Sequence, residues 1–546
     1  MSEGSTSEDP SSPNRLRRWY GTLAPLQRRV LLASAGLSTL LIGLFLLPGR
    51  THTLVVTGFI LLLLSSRWWL RRAFLAGIQP PPRIGRPVSK LSLTFLLGAL
   101  ILASCQRLPL MDEPLQLAEL EAVANTIHGY TDIGADGSEH WHPAGQPWSI
   151  RAGDHADGSM LLGVTATATL WAWRTCTGLP QDRFHHTPVR LPSLIAGLAS
   201  IILIWRILHW FGYRCAALFA AFLIAIHPMA IASDTQAGGY SLAMFFELLV
   251  IASLYLALRT LKWHHWAIFA AGVVLCVCAL PAAIYFATGT GLAVAFYLVR
   301  RVGPNKTRAV ASAQLARLGI ASLIASLVLI QLGALATEPP TTFAIEPTGS
   351  NQDAAPHRLT GTRSDASRLL TIPILAISPL LIGFGGIRLL RGNRFTTPLV
   401  VGAMISPLLA YSHSLLTPKL ASTNWHFTEV LPVLILLLAV GITSLADSAK
   451  NKSRRPYLTL AAGTAYLIIF SLTTGTPAAG DGEFGREGDV EYVEFSQGVI
   501  RWRAYNDGKI TRESGVSQTM PAPGRASIAP GGVHPYAPGN ELITKQ

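Results

Sequence analysis

The stretch SMLLGVTATATLWAWRTCTG, residues 159–178, decides how the rest of the chain is read. It is close to the roughly 20 apolar residues that cross a bilayer. Thr165, Thr167, Thr169 and a Trp-rich end argue instead for a helix lying along a membrane surface. The basic loops arbitrate. With this helix flat, RILHWFGYRC, ALRTLKWHHW, VRRVGPNKTR, IRLLRGNRF and SAKNKSRRPY all fall on the cytoplasmic side, as the positive-inside rule requires. Counting it as a span would put all five outside. The flat reading prevails.

Composition fits a membrane chain. Half of the residues are hydrophobic and 14% are charged, where a soluble chain carries about a quarter. Apolar runs of span length recur, and the alternating strands of a membrane barrel do not. The net charge of +14 resides largely in short loops between spans, so it points to topology and not to nucleic acid. Four of the five cysteines lie in or beside apolar runs, which is no disulfide framework. No cleavable signal peptide is evident before the first apolar run.

The expected architecture is an all-α polytopic membrane protein of about thirteen spans. Residues 1–27 read as a disordered cytoplasmic N-terminus, and 28–88 as a transmembrane hairpin (spans 30–48 and 53–70) with a basic loop. Residues 89–474 form the main helical module, with spans near 90–107, 189–208, 215–232, 239–258, 266–281, 283–300, 316–336, 369–389, 397–415, 428–446 and 456–474. Pro281 breaks the long run 266–300 into a hairpin. Residues 108–187 make a long first extracytoplasmic loop with helical stretches at 114–128 and 159–175. The tail, 475–546, comes out on the same side; its VEYVEFSQGVIRWRAYNDGKITRE alternates like a short β-ribbon, followed by disordered text.

Most conspicuous polar groups gather on the outer face. They are Asp112 and Glu113, His155 and Asp157 within a His/Asp-rich stretch, Arg190 at the mouth of a span, Asp234, Gln236, Tyr240, Lys419 and His426. Ionisable groups beside membrane cavities are functional candidates. A carboxylate can take a proton from an attacking hydroxyl while nearby cations hold a phosphate leaving group. Each has a plainer alternative. Asp112 suits a helix N-cap with Pro114 in the first turn, and Arg190 suits a snorkelling position. The His/Asp stretch lacks HxxxH or HExxH spacing, so no metal is required, and a divalent cation has no support. No phosphate-binding loop and no GxSxG elbow occur.

Four motifs resemble the GT-C superfamily of membrane glycosyltransferases, in particular the protein O-mannosyltransferase and lipid A aminoarabinose transferase type. They are the acidic pair in MDE (Met111 to Glu113); VRLPSLIAG, similar to R-L-x-S-x-x-x-G at Arg190, Leu191, Ser193 and Gly197; SDTQAGGYSL, similar to Q-A-R-x-Y-S-L; and NWHFTEVLP, similar to a late R-Y-x-x-x-x-x-P segment. They extend over about residues 90–446. The resemblance implies a GT-C-like bundle in a bacterial cytoplasmic membrane with its site on the extracytoplasmic face. It also implies transfer of a sugar, with inversion, from a polyprenyl-phosphate donor to a hydroxyl or phosphate on a lipid, glycan or protein acceptor. Asp112 would be the base with Glu113 beside it, and Arg190 would hold the donor phosphate or position the acidic pair. His155, Asp157, Asp234, Gln236, Tyr240, Lys419 and His426 would line the substrate site. Gly238 and His426 depart from the pattern, standing where arginine is usual. A non-catalytic scaffold of the same architecture is the second reading and a transporter the third, although no inverted repeat is seen.

Overall fold

The computed structural model describes residues 89–112, 115, 119, 122–133, 139–144, 159–179, 185–260, 262–301, 307–336, 365–392, 395–416, 426–447, 461–467, 490–496, 499–506, 509–511 and 517–519. The expected N-terminal hairpin and the span-to-loop junctions between these segments lie outside the described residues. What is described is nearly all helical, and several of its helices are apolar enough to cross a membrane.

Helix α1 spans Lys90–Arg107, capped by the Ser89 hydroxyl, and runs into a 3-10 turn over Pro109–Asp112. A π-helical turn, Val123–Ile127, leads into strands β1 (Gly129–Ile133) and β2 (Glu139–Pro143). Then follow α2 (Met160–Thr177), α3 (His186–Phe211), α4 (Arg214–Ile226), α5 (Pro228–Thr235) and α6 (Tyr240–Thr260). The series continues with α7 (Trp263–Ala279), α8 (Ala283–Arg300), α9 (Thr307–Ala336), α10 (Asp365–Gly392), α11 (Thr397–Leu416) and α12 (His426–Asp447). Strands β3 (Val490–Ser496), β4 (Val499–Asn506), β5 (Lys509–Thr511) and β6 (Ser517–Thr519) lie in the tail.

Among the described residues five helical segments are long and apolar enough to span a membrane: Lys90–Asp112, His186–Phe211, Tyr240–Thr260, Ala283–Arg300 and Val310–Leu332. A sixth forms if α4 and α5, bent by 59° at their junction, count as one span. Pro228 sits at the start of α5, where its missing N–H cannot continue the hydrogen bonds of α4. The long apolar run at 266–300 does split at Pro281, between α7 and α8.

Helix α2 is not among those spans. Ser159 caps it by accepting from Leu162 N at 3.0 Å, and Gly178 ends it in the left-handed conformation at φ 71°. It buries Met160, Leu162, Ala166 and Leu170 against α3, α7 and the π-helical turn, while Trp171 is 70% exposed. The threonines bond backbone carbonyls: Thr165 reaches Leu161 O, Thr167 reaches Gly163 O and Thr169 reaches Pro188 O on α3 at 2.6 Å. Their hydroxyls are thus satisfied by backbone.

Close helix crossings are built on glycine. A Cβ on Gly402 of α11 would stand 2.4 Å from Thr290 Cα on α8, and one on Gly289 would stand 2.7 Å from Gly402 O. A Cβ on Gly441 of α12 would stand 2.0 Å from Leu381 O on α10. Small residues let membrane helices approach at backbone distance.

The β-structure joins two distant parts of the chain. β1 and β2 form an antiparallel hairpin from Gly129↔Pro143 to Ile133↔Glu139. Strand β4 pairs antiparallel with β3 and β5, with Asn506 opposite Lys509. β1 runs parallel to β4 in register Thr131↔Arg501. The loop hairpin escapes the sequence reading because GYTDI and EHWHP are each only five residues long, and EHWHP has no β-branched residue to mark a strand.

Candidate functional site

The site is assembled where α1 ends. Beyond α1 the chain tightens into the 3-10 turn, and Asp112 stands exposed at its end. Asp112 Oδ1 accepts a hydrogen bond from Thr187 Oγ1 at 2.8 Å. Thr187 belongs to the first turn of α3, which His185 caps by accepting from Thr187 N through Nδ1 at 3.3 Å. Asp112 therefore lies against the N-terminal end of α3, the positive end of the helix dipole. The expected N-cap role of Asp112 depends on residues 113 and 114, outside the described ones.

Arg190 is buried behind Asp112, with 2% of its surface exposed. Its Nε and Nη2 donate to the two carboxylate oxygens of Glu119 at 3.0 and 2.8 Å. Its Nη1 donates to the carbonyls of Leu110 and Met111, both at 3.2 Å. A bidentate fork of this kind fixes orientation as well as charge. The guanidinium thus holds the backbone just before Asp112. Glu119 also accepts from Ala237 N at 2.5 Å, tying the first outer loop, α3 and the turn before α6 into one unit.

A second buried pair lies in the adjoining layer. Arg107, at the end of α1, donates from Nε to Asp234 Oδ2 at 2.7 Å. Its other nitrogens donate to the carbonyls that end α4: Nη1 to Ala225 O at 2.7 Å and Nη2 to Ile224 O at 3.2 Å. Ser241 Oγ lies 2.5 Å from Asp234 Oδ1 and 2.8 Å from Ser193 O. A hydroxyl has one proton, and the carboxylate is the stronger acceptor. Ser193 Oγ in turn donates to Gly238 O at 3.1 Å.

The spacing of RLPSLIAG now has a physical reason. Arg190, Ser193 and Gly197 fall at i, i+3 and i+7, one face of α3. Each meets the outer loop or the stretch 234–241. Arg190 and Ala237 share Glu119, Ser193 bonds Gly238, and Gly197 leaves room for the carboxylate of Asp234. A Cβ on Gly197 would stand 2.1 Å from Asp234 Cγ.

Of the other sequence candidates, Gln236 is half-buried in the turn before α6. Tyr240 opens α6 and is buried in a cluster with Leu115, Val123, Leu162, Val189 and Leu280. Glu113, His155, Asp157 and Lys419 lie outside the described residues, as does the side chain of His426 at the start of α12. No group of three or more His, Cys, Asp or Glu able to hold a metal occurs among the described residues.

Three contributors were not singled out from sequence: Glu119, Thr187 and Arg107. Glu119 sits among leucines and alanines in LQLAELEAV and reads as one surface carboxylate among several. Arg107 did carry a signal. It ends the third span on the side that the charge map reads as extracytoplasmic, against the positive-inside bias. A cation there calls for a partner.

Two neighbouring glycines differ sharply in what they tolerate. A Cβ on Gly238 would touch only the Tyr240 ring, at 3.4 Å, whereas one on Gly239 would stand 2.0 Å from Ala279 O and 2.7 Å from Ser159 Cβ. Gly239→Ala is expected to lower the thermal midpoint of the purified protein clearly, and Gly238→Ala to leave it nearly unchanged, its stability within about 0.5 kcal/mol of the parent's. Equal midpoints for the two variants would contradict this packing.

No family model matches the sequence, and no curated protein matches it. Among solved structures the fold is similar to the archaeal oligosaccharyltransferase AglB from Archaeoglobus fulgidus in complex with an inhibitory peptide and a dolichol-phosphate. That match has 14% identity, covers 71% of this chain and 56% of the other, and has a TM-score of 0.40. It is also similar to the Archaeoglobus fulgidus oligosaccharyltransferase in complex with Zn and sulfate, at 15% identity, 70% and 53% coverage and a TM-score of 0.39. The matched region thus spans little more than half the length of these enzymes.

Proposed function

We propose that this chain is a membrane glycosyltransferase that moves a sugar, with inversion, from a polyprenyl-phosphate donor to an acceptor hydroxyl or phosphate on the outer face of a bacterial cytoplasmic membrane. The observation that carries the reading is the setting of Asp112. It is an exposed carboxylate beside a membrane-spanning helix, oriented by Thr187 and backed by the Arg190–Glu119 pair. That is what a general base needs: solvent and substrate access and a fixed position. Asp112 takes the proton of the attacking hydroxyl as the bond from the sugar to phosphate breaks. The meeting of the resemblance motifs around α3 and the turn 236–239 supports the same reading, because residues far apart in sequence converge beside one carboxylate.

Roles divide differently from the first expectation. Arg190 and Asp234 act as supports, each occupied in a buried pair, and Arg190 sets the backbone under Asp112. The donor phosphate is left to Lys419 and His426, with Gln236 and Tyr240 shaping the wall. Glu113, His155 and Asp157 contact the substrate from the outer loop. No metal enters the scheme.

A non-catalytic scaffold is the second reading. The engagement of both Arg190 and Asp234, together with glycine at 238, favours it. Lipid-linked sugars presented to the purified protein in vesicles distinguish the two. Transfer of labelled sugar from a polyprenyl-phosphate donor is expected; no turnover with any such donor, from protein that is folded, would leave the scaffold.

A further inference from the structure

We propose that the C-terminal tail is a built-in brace of the candidate site, its strand β4 locking the first outer loop in place through β1. This goes beyond the transfer reading and does not depend on it.

The pairing is long-range and central to its sheet. Arg501 has a partner on each side, Thr131 of β1 and Glu494 of β3. β1 is short and directly continuous with the site. Gly129 follows His128, whose Nδ1 lies 2.7 Å from Arg174 Nη2 on α2. The π-helical turn just before it packs on α2, and Glu119 lies upstream of that turn. A strand fixed at residue 131 therefore limits how far the segment carrying Glu119 can move away from Arg190. A lone two-stranded hairpin is marginal in water, and added strands make it persist. The tail supplies them: β3, β4 and β5 extend the β1–β2 hairpin into a larger sheet.

The pairing also constrains topology. Strands that hydrogen-bond must lie on one side of the membrane, so the chain crosses an even number of times between residues 133 and 499. The ten spans read from the sequence after residue 187 satisfy this; adding α2 as an eleventh would not. The brace and the flat α2 stand together.

The test uses the full chain with its five native cysteines replaced. In a cysteine pair Thr131→Cys/Arg501→Cys, aligned residues on adjacent strands are within disulfide range, whereas Thr131→Cys/Trp502→Cys places the second residue on the opposite face. With a protease site introduced near residue 480, the aligned pair is expected to keep the cleaved tail attached on a non-reducing gel, and the offset pair to release it. Release from both, or retention by both, overturns the pairing. The second measurement is hydrogen exchange. Arg501→Pro removes a ladder N–H from a central strand, and exchange over 119–133 is expected to rise about tenfold or more while α6 stays protected. Deletion of 490–519 should give the same pattern without a proline. Unchanged exchange over 119–133 in either variant overturns the brace even if the crosslink forms, and neither readout requires transfer activity.

Discussion

Asp112→Asn is expected to lower sugar transfer roughly 10²- to 10⁴-fold, the contribution of a positioned general base. The change is isosteric, and the amide oxygen can still accept the Thr187 hydroxyl that Asp112 Oδ1 accepts at 2.8 Å. The first turn of α3 and the Arg190–Glu119 fork should therefore persist, and the variant should insert and melt like the parent. What is lost is the ability to take a proton. Transfer is measured with labelled donor in vesicles containing equal amounts of each protein. An Asp112→Asn protein with full activity would remove Asp112 as base, and one that fails to insert would make the residue structural. Thr187→Val serves as the partner variant. It removes the hydroxyl that orients Asp112 and leaves the carboxylate, so a smaller fall is expected.

The second large effect is on stability. Asp234→Ala is expected to cost about 3–5 kcal/mol, because it leaves the Arg107 guanidinium buried without its charge partner. Arg107 is 0% exposed and Asp234 1% exposed, so water cannot take over. Removing both charges in Arg107→Met/Asp234→Ala should recover much of the loss, since breaking a buried pair is costlier than deleting it. Thermal midpoints of the parent, both single variants and the double variant in the same detergent give the cycle. Additive losses would show that the two residues do not act as a pair. The measurement also separates support from substrate contact: a site residue that touched the donor would change transfer without a matching change in midpoint.

Asp234 illustrates what sequence alone could and could not say. An aspartate beside a membrane span is a sound candidate for function, and it does lie next to the site. Its partner, however, is 127 residues away on α1, and no local pattern pairs them. Glu119 is the converse case. It lies 71 residues from Arg190, in a run where any carboxylate reads as solvated, yet it is the group through which three segments meet. The motif R-L-x-S-x-x-x-G was legible as one helix face, since i, i+3 and i+7 follow from the helical period. What that face touches was not.

By itself, the sequence determined the membrane character and the helical class, and it set the expectation that residues 159–178 lie flat. These follow from apolar length and from the side on which cations accumulate, both properties of the chain read one segment at a time. It also brought Asp112 forward, because an acidic pair at the end of a span is a local feature. Only the tertiary structure decided that Arg190 and Asp234 are engaged in separate buried pairs, that Thr187 orients Asp112, and that β4 of the tail lies beside β1 of the first outer loop. The physical reason is the same in each case. A buried ion pair or a strand ladder is satisfied by whichever distant segment packing brings within about 3 Å, and sequence spacing carries no record of that distance.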